Sequence, residues 1–152
     1  DLLLQACRAS DTIIRWGGDE FLVAGTTTDY GDVKILAERI RETIAGHDFT
    51  VGSGQRARLS ASIGIAPYPL VPGRYRFCSW ELASAVADQA SYVAKASRRN
   101  AWVSLVGTEA LGPEMLTRLG ERLDELLDAG CLEVESSLPD GLRSAHGAPL
   151  GR

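Results

Sequence analysis

Length, composition and charge set broad limits on what this chain can be. Its 152 residues are 45% hydrophobic and 24% charged, values that suit one globular domain of a soluble protein. A formal net charge of −4 argues against a general nucleic-acid binder and against a protein that coats acidic membranes. The cysteines lack the spacing of a zinc site, and no run approaches the roughly 18 apolar residues of a membrane span, so a cytoplasmic protein with reduced thiols is expected.

The first two thirds of the chain predict alternating helices and strands. Residues 1–8 have the pattern of the last turns of a helix, and the apolar runs 12–14 and 21–24 predict two strands. Gly17-Gly18 between these runs predicts a tight hairpin, because primed turns need positive φ at their central residues. The elements expected after it are a helix over 33–45 capped by Asp29 or Asp32, strands over 49–51 and 58–66, a helix from Ser79 to about residue 97, and a strand over 101–106.

The last third of the chain differs in character. A stripe of leucines from Leu116 to Leu127 predicts an amphipathic helix, residues 131–135 predict a short strand, and the remainder, rich in Gly, Pro and Ser, is expected to be disordered. The whole order of elements predicts an α+β fold with a mainly antiparallel sheet and helices packed on it. The expected organisation is a domain over 1–107, a helix-and-strand extension over 108–137 and a tail over 138–152.

The residues with the clearest chemistry lie at the predicted hairpin. Gly17 and Gly18 carry no side chains, so a bulky anion can approach the backbone there. Asp19 and Glu20 follow directly and offer the carboxylate oxygens that hard cations prefer. This combination predicts a site for a nucleotide phosphate and its magnesium ion. The alternative is a surface hairpin whose acids only face water.

The sequence around this hairpin resembles the GGDEF-domain diguanylate cyclases. Residues 17–21 match the family signature letter for letter, and further motifs stand in the family's order at 8–11 (RxxD), 37–41, 62–66, 87–95 and 99–100. The resemblance covers about residues 1–106. It implies a palm-type, ferredoxin-related fold like that of the nucleotidyl cyclases, truncated at the N-terminus by the loss of the first strand and helix.

The resemblance implies a reaction and a role for each hairpin residue. Diguanylate cyclases condense two GTP molecules into cyclic di-GMP and release pyrophosphate, so a nucleotidyltransferase is expected. Asp19 and Glu20 are then the catalytic residues and the ligands of Mg²⁺ or Mn²⁺, and Asp19 also helps to activate the attacking hydroxyl. Gly17 and Gly18 let GTP lie close to the turn. Because two GTP-loaded domains must face each other, a homodimer is expected for catalysis.

Two cations near the end of the Ala-rich helix form a second candidate site. Lys95 and Arg99 are four residues apart, which predicts that they lie on one helix face. The resemblance assigns both to the GTP phosphates, and the alternative is that they only complement the dipole at the helix C-terminus. Arg98 stands where the family usually has glycine, so a strained or altered helix end is expected.

Arg8 and Asp11 form the RxxD motif upstream of the hairpin. The resemblance assigns the pair to an inhibitory site for the product, cyclic di-GMP. Arg8 can grip a guanine edge or a phosphate, and Asp11 can accept hydrogen bonds from guanine N–H groups. The alternative is a surface ion pair between the two side chains.

The resemblance leads to two hypotheses for the whole protein. The first is a product-inhibited diguanylate cyclase, of which this segment alone is expected to be inactive, because the missing first strand and helix carry a further metal-binding Asp. The second is a non-catalytic GGDEF module that binds cyclic di-GMP or GTP and signals to an attached domain. A sensor or receiver domain is expected upstream in the same chain, and the domain is expected in the cytoplasm, alone or as part of a membrane-anchored sensor.

Overall fold

The structure of the protein is a computed structural model that describes residues 1–26, 29–75, 78–116, 123–138 and 142–143. The chain forms two compact units, an N-terminal unit of residues 1–61 and a C-terminal unit of residues 62–152. The N-terminal unit holds α1 (Leu2–Ala6), β1 (Thr12–Gly17), β2 (Glu20–Ala24), α2 (Tyr30–Gly46), β3 (Asp48–Val51) and β4 (Gln55–Arg58). The C-terminal unit holds β5 (Ser62–Ile65), α3 (Trp80–Ser97), β6 (Ala101–Gly107), α4 (Pro113–Leu116), α5 (Leu123–Asp128) and β7 (Leu132–Ser136). Within the described ranges, no helix is both long and apolar enough to span a membrane.

The long helix of the N-terminal unit, α2, begins where its sequence predicts a cap. Asp29 precedes the helix, and its Oδ1 accepts a hydrogen bond at 2.7 Å from the backbone N–H of the second helical residue. Ala37 and Ile40, two positions of the predicted apolar face, are buried. α1 packs against α2, and the Arg39 Nε donates to the carbonyl of Ala6 at 2.6 Å. Two antiparallel hairpins, β1–β2 and β3–β4, complete this unit.

A three-stranded sheet covered by α3 forms the C-terminal unit. The strand order is β5-β6-β7, with β5 and β6 parallel across the α3 connection and β6 and β7 antiparallel. Ser79 caps α3 as predicted, because its Oγ accepts from the Leu82 N–H at 3.3 Å. α3 lies directly on β5 at Gly64, where a Cβ would collide with the backbone of Ala87 and Ser91. The largest apolar side chains fully buried in this unit are Leu70, Val86, Val93, Val103 and Leu105.

The described strands confirm a mainly antiparallel arrangement. They differ from the prediction in two respects: one predicted strand is divided into two, and the strands form several small sheets where one sheet was expected. Three pairings are antiparallel and one is parallel, and the strands form sheets of two, two and three strands. The strand expected over 58–66 is wrong, because residues 55–58 pair with β3 and residues 62–65 pair with β6. Alternating apolar residues indicate an extended chain but carry no information about its partner, so they could not reveal the break between β4 and β5.

The end of the chain adds a strand to the sheet of the C-terminal unit. β7 confirms the short strand expected after the leucine stripe, and it pairs with β6. Of the predicted amphipathic helix, α4 and α5 are described, and residues 117–122 lie outside the described residues. Most of the tail that is expected to be disordered, residues 139–141 and 144–152, also lies outside them. The Arg143 N–H donates to the Ser97 Oγ at 2.9 Å. The three-part division of the chain stays a prediction.

Candidate functional site

The turn between β1 and β2 is displaced by one residue from its predicted centre. Gly17 pairs with Glu20 at the end of the hairpin, and a β-bulge at Trp16 shifts the register of the preceding pairs. The central residues of the turn are therefore Gly18 and Asp19, and the predicted Gly17-Gly18 centre is wrong by one position. Gly18 has a φ of 53°, the positive value that primed hairpin turns need at their first central residue. The displacement places an acid at the tip itself.

The tip of this hairpin is open to solvent. Every residue from 14 to 21 is exposed. Beyond the chain neighbours, no heavy atom lies within 4 Å of a Cβ built on Gly17 or Gly18. A large ligand can therefore reach the backbone of the turn, and the carboxylates of Asp19 and Glu20 are next to it in the chain.

Arg15 contacts the turn from β1. Its Nε donates to the carbonyl oxygen of Gly18 at 3.1 Å, and its Nη2 donates to the same oxygen at 2.9 Å. Because the N–H groups of a guanidinium form a rigid fork, the two bonds restrain both the side chain and the carbonyl. Sequence reasoning missed this residue. The available signal was an arginine three residues before a turn glycine, and that spacing is too common to predict hydrogen bonds between the two residues.

The RxxD residues form a turn of their own between α1 and β1. The Oδ2 of Asp11 accepts from the Arg8 backbone N–H at 2.7 Å, and the Asp11 N–H donates to the Arg8 carbonyl at 3.0 Å. The Nη2 of Arg8 lies 3.6 Å from the Oδ2 of Asp32 in the first turn of α2. The ion pair of Arg8 is therefore made with α2, while Asp11 bonds to the backbone of Arg8.

Cys7 follows α1 and lies next to this turn. Burial raises the pKa of its thiol, the negative charge of Asp11 raises this pKa further, and the positive charge of Arg39 opposes the shift. The ionisation of the Cys7 thiol is therefore coupled to the charge of the Asp11 carboxylate.

Lys95 and Arg99 have different backbone settings, which corrects the prediction that they share one helix face. Lys95 lies in the last turn of α3, whereas Arg99 lies beyond the C-cap residue, Arg98. The Arg99 N–H donates to the carbonyl of Ala94 at 3.0 Å and closes the helix. Arg99 and Asn100 have φ values of 54° and 47°, left-handed conformations that asparagine tolerates but that strain an arginine. The strained helix end is present, but Arg98 itself keeps a φ of −132°.

Comparison with known families identifies the class of this chain. Residues 1–101 match the family model described as diguanylate cyclase, GGDEF domain. The chain belongs to the GGDEF family. No solved structure gives a significant match to it.

Curated relatives agree with this assignment, and the names of two of the following three contain the words diguanylate cyclase. The chain is 34% identical over 93 residues to Diguanylate cyclase DosC of Escherichia coli strain K12, covering 61% of the chain and 19% of DosC. It is 38% identical over 102 residues to Response regulator PleD of Caulobacter vibrioides strain NA1000 / CB15N, covering 66% of the chain and 21% of PleD. It is 41% identical over 95 residues to Bifunctional diguanylate cyclase/cyclic di-GMP phosphodiesterase MucR of Pseudomonas aeruginosa, covering 62% of the chain and 13% of MucR. The matched part thus spans between 13% and 21% of the length of these relatives.

The GGDEF signature of this chain offers two carboxylates to a metal ion. Asp19 and Glu20 supply the oxygen donors that Mg²⁺ and Mn²⁺ take, and Mg²⁺ usually binds through one or two carboxylates together with waters and substrate phosphates. Among the residues that the structure describes, no group of three or more His, Cys, Asp or Glu side chains is placed to hold a metal ion. The donors present therefore fit an ion that two carboxylates and waters hold weakly and that a nucleotide phosphate holds more tightly.

The predicted GGDEF site residues divide between the two units. The N-terminal unit contains two separate turns, one formed by the signature residues and one formed by the RxxD residues. The C-terminal unit contains both cations from the end of α3. The residues in the N-terminal unit are Arg8, Asp11, Gly17, Gly18, Asp19 and Glu20, and those in the C-terminal unit are Lys95 and Arg99.

Proposed function

We propose that the protein is a diguanylate cyclase, which condenses two GTP molecules into cyclic di-GMP and releases pyrophosphate. The observation that carries the proposal is the exposed GGDEF turn. There Gly18 has positive φ, the backbone is uncovered, and two acids adjoin it. Family membership supports the same activity. We infer with it the palm-type, ferredoxin-related fold of the nucleotidyl cyclases.

The turn residues take up two tasks in this proposal. Asp19 and Glu20 would hold Mg²⁺ or Mn²⁺, which when bound neutralises phosphate charge and favours ionisation of the attacking hydroxyl. Asp19 also serves in activating that 3′-hydroxyl. Gly17 and Gly18 admit the guanosine and its ribose to the turn, because no side chain occupies that space.

Lys95 and Arg99 are the cations that bind the nucleotide phosphates in this proposal. Both side chains are exposed, and charge-assisted hydrogen bonds to phosphate are among the strongest that a protein surface makes. Each GTP is bound by one domain, so the working enzyme is a homodimer in this proposal. The names Response regulator PleD and Bifunctional diguanylate cyclase/cyclic di-GMP phosphodiesterase MucR support a further domain joined to this one.

Arg8 and Asp11 form, in this proposal, an inhibitory site that binds the product, cyclic di-GMP. The Arg8 side chain is 59% exposed, and its guanidinium offers a planar fork to a phosphate or a guanine edge. Asp11 is fixed by its bond to the Arg8 N–H, so its carboxylate is already oriented before a ligand arrives. Both groups suit the hydrogen-bonding edge of guanine.

The same preformed turn favours a second candidate function, a non-catalytic module that binds cyclic di-GMP or GTP and signals to an attached domain. Its hydrogen bonds join Arg8 and Asp11 to each other and involve neither acid of the GGDEF turn. A binding function would therefore survive in a protein whose catalytic turn does not work.

Chromatography of nucleotides separates the two candidates. The complete protein is incubated with GTP and Mg²⁺ or Mn²⁺, and the enzyme should convert GTP into cyclic di-GMP and pyrophosphate. The double variant Asp19→Asn, Glu20→Gln should lose this turnover, whereas Glu109→Gln, which neutralises an exposed acid elsewhere, should keep it. Turnover that survives the double substitution would contradict the roles proposed for Asp19 and Glu20, and absence of turnover in the unaltered protein would contradict the proposed activity. Binding of GTP or cyclic di-GMP without turnover in the unaltered protein would favour the sensor.

A further inference from the structure

The two central residues of the GGDEF turn, Gly18 and Asp19, receive no restraint from the ladder of the hairpin, because they lie between its last two paired residues. Gly18 has the widest backbone freedom of any residue type, and no atom beyond the chain neighbours lies within 4 Å of its missing Cβ. The bulge at Trp16 interrupts the ladder of β1 and β2 one residue before the final pair. The ladder therefore fixes Glu20 through its pairing with Gly17, and a restraint on the Gly18 carbonyl has to come from other atoms.

Arg15 supplies such a restraint. Its Nε and Nη2 both donate to the Gly18 carbonyl, at 3.1 and 2.9 Å, and so connect β1 to the turn across the bulge. The peptide plane that contains this carbonyl also contains the backbone nitrogen of Asp19. Fixing the carbonyl therefore fixes the direction in which the chain enters Asp19 and Glu20.

We propose that Arg15 is a positioning residue, which holds the Gly18 carbonyl so that Asp19 and Glu20 bind a divalent cation together. The proposal rests on the metal site of the proposed function and deepens it. Arg15 acts through the backbone and is not assigned any contact with the nucleotide or the ion.

Removal of the Arg15 side chain should weaken metal binding if Arg15 positions the turn, and should tighten it if Arg15 acts only through its charge. A guanidinium near a cation site repels the cation, so the charge of Arg15 taken alone weakens metal binding. Removing the side chain would then tighten binding. If Arg15 orders the turn, its removal has the opposite effect, because the two acids lose their common arrangement and must be ordered by the ion itself.

Titration of the complete protein with Mn²⁺ in the absence of nucleotide, followed by electron paramagnetic resonance, tests the sign. Arg15→Ala should weaken Mn²⁺ binding about fivefold to tenfold, the loss expected when charge-assisted hydrogen bonds to an exposed acceptor disappear. Arg15→Lys, which can still donate to the carbonyl, should fall between the alanine variant and the unaltered protein. Arg56→Ala is the matched control, because it removes an exposed arginine from the other hairpin of the same unit and should leave the affinity unchanged.

Hydrogen–deuterium exchange gives a readout that does not need the metal. In the metal-free protein, amides of residues 14–21 should exchange faster in Arg15→Ala than in the unaltered protein, and Arg56→Ala should not change them. Equal or tighter Mn²⁺ binding in Arg15→Ala, a lysine variant no better than alanine, unchanged exchange, or no Mn²⁺ binding by the unaltered protein would each overturn the proposal. Failure of the proposed function is distinguishable, since a protein that binds Mn²⁺ but makes no cyclic di-GMP still reports on Arg15.

Discussion

At the scale of single residues, the Arg8 side chain has a protein partner that a ligand must displace. Its guanidinium lies 3.6 Å from the Asp32 carboxylate, and both side chains are substantially exposed. An exposed pair of this kind is worth about 0.2–1 kcal/mol. If cyclic di-GMP binds to Arg8, it first breaks this pair, so Asp32 weakens product binding by a similar amount.

The first prediction concerns this competition. Asp32→Asn should lower the cyclic di-GMP concentration that gives half-inhibition by about twofold to fivefold, because the competing charge is gone. Arg8→Ala should relieve the inhibition while leaving the initial rate intact. Initial rates of cyclic di-GMP formation at increasing added product measure both effects. Glu42→Gln, an exposed acid further along α2, is the control. An unchanged or raised half-inhibiting concentration in Asp32→Asn would count against Asp32 as a competitor.

A second prediction uses the thiol of Cys7. Its pKa lies above the ordinary value through burial and the Asp11 carboxylate, so the reactive thiolate forms only at higher pH and alkylation at neutral pH should be slow. Asp11→Asn removes the second cause and should move the pH–rate profile of Cys7 alkylation toward lower pH. Mass spectrometry after iodoacetamide treatment resolves Cys7 from the buried Cys78 and Cys131. A profile that does not move would show that Asp11 has no influence on the thiol.

At the scale of elements, the sequence predicts helices better than strand partners. α3 follows its predicted bounds because a cap residue, Ser79, and an apolar period agree on the same start. Strands lack such local signals, since their pairing depends on segments far away in the chain. The split between β4 and β5, the bulge at Trp16 and the hydrogen bonds of Arg15 all depend on pairing or turn geometry. None of these three features can be predicted from the residue types near it in the sequence.

The contact between α3 and β5 gives a third prediction. A methyl group at Gly64 would overlap the Ala87 carbonyl and the Ser91 amide, both of them backbone atoms that cannot rotate away. Gly64→Ala should therefore lower the free energy of unfolding by about 1–3 kcal/mol. Gly46→Ala, at a helical glycine whose Cβ would meet no atom within 4 Å, should change it little or raise it by about 0.5–1 kcal/mol. Urea unfolding of both variants measures the difference. Equal stabilities would show that α3 does not lie against β5 at this point.

The cap of α3 gives a fourth prediction, on pH. Hydrogen bonds from its own backbone N–H and from the Ser79 hydroxyl lower the pKa of Glu81 below its ordinary value. A carboxyl group whose pKa is lowered by folding stabilises the folded state above the pKa of the unfolded chain, and this stabilisation is lost as pH falls through the folded value. Glu81→Gln should therefore be less stable than the unaltered protein at neutral pH, and the difference should vanish in acid. Thermal unfolding between neutral and acid pH tests this. A difference that is constant with pH would exclude the charge of Glu81 as its cause.

At the scale of the whole molecule, the described apolar core is unevenly distributed. A continuous cluster of buried side chains joins α3, β6 and the C-terminal helices and strand within the C-terminal unit. The buried apolar residues described in the N-terminal unit are Ala6, Ala37 and Ile40. Elements with few buried apolar contacts open at lower free energy than elements in a packed core. The turn that carries the two acids thus belongs to the unit with less internal packing.

This asymmetry leads to the last prediction. Hydrogen–deuterium exchange of the complete protein, corrected for intrinsic rates, should be slower in β6 and the middle of α3 than in α2, because opening α2 exposes less apolar surface. Adding GTP with Mn²⁺ should slow exchange in residues 14–21, since a ligand that binds only the ordered form stabilises it by mass action. The double variant Asp19→Asn, Glu20→Gln should show the same basal order of rates but no slowing. Equal protection of α2 and β6 would contradict the uneven core. Slowing that persists in the double variant would mean that the nucleotide and its ion do not bind through the two acids of the GGDEF turn.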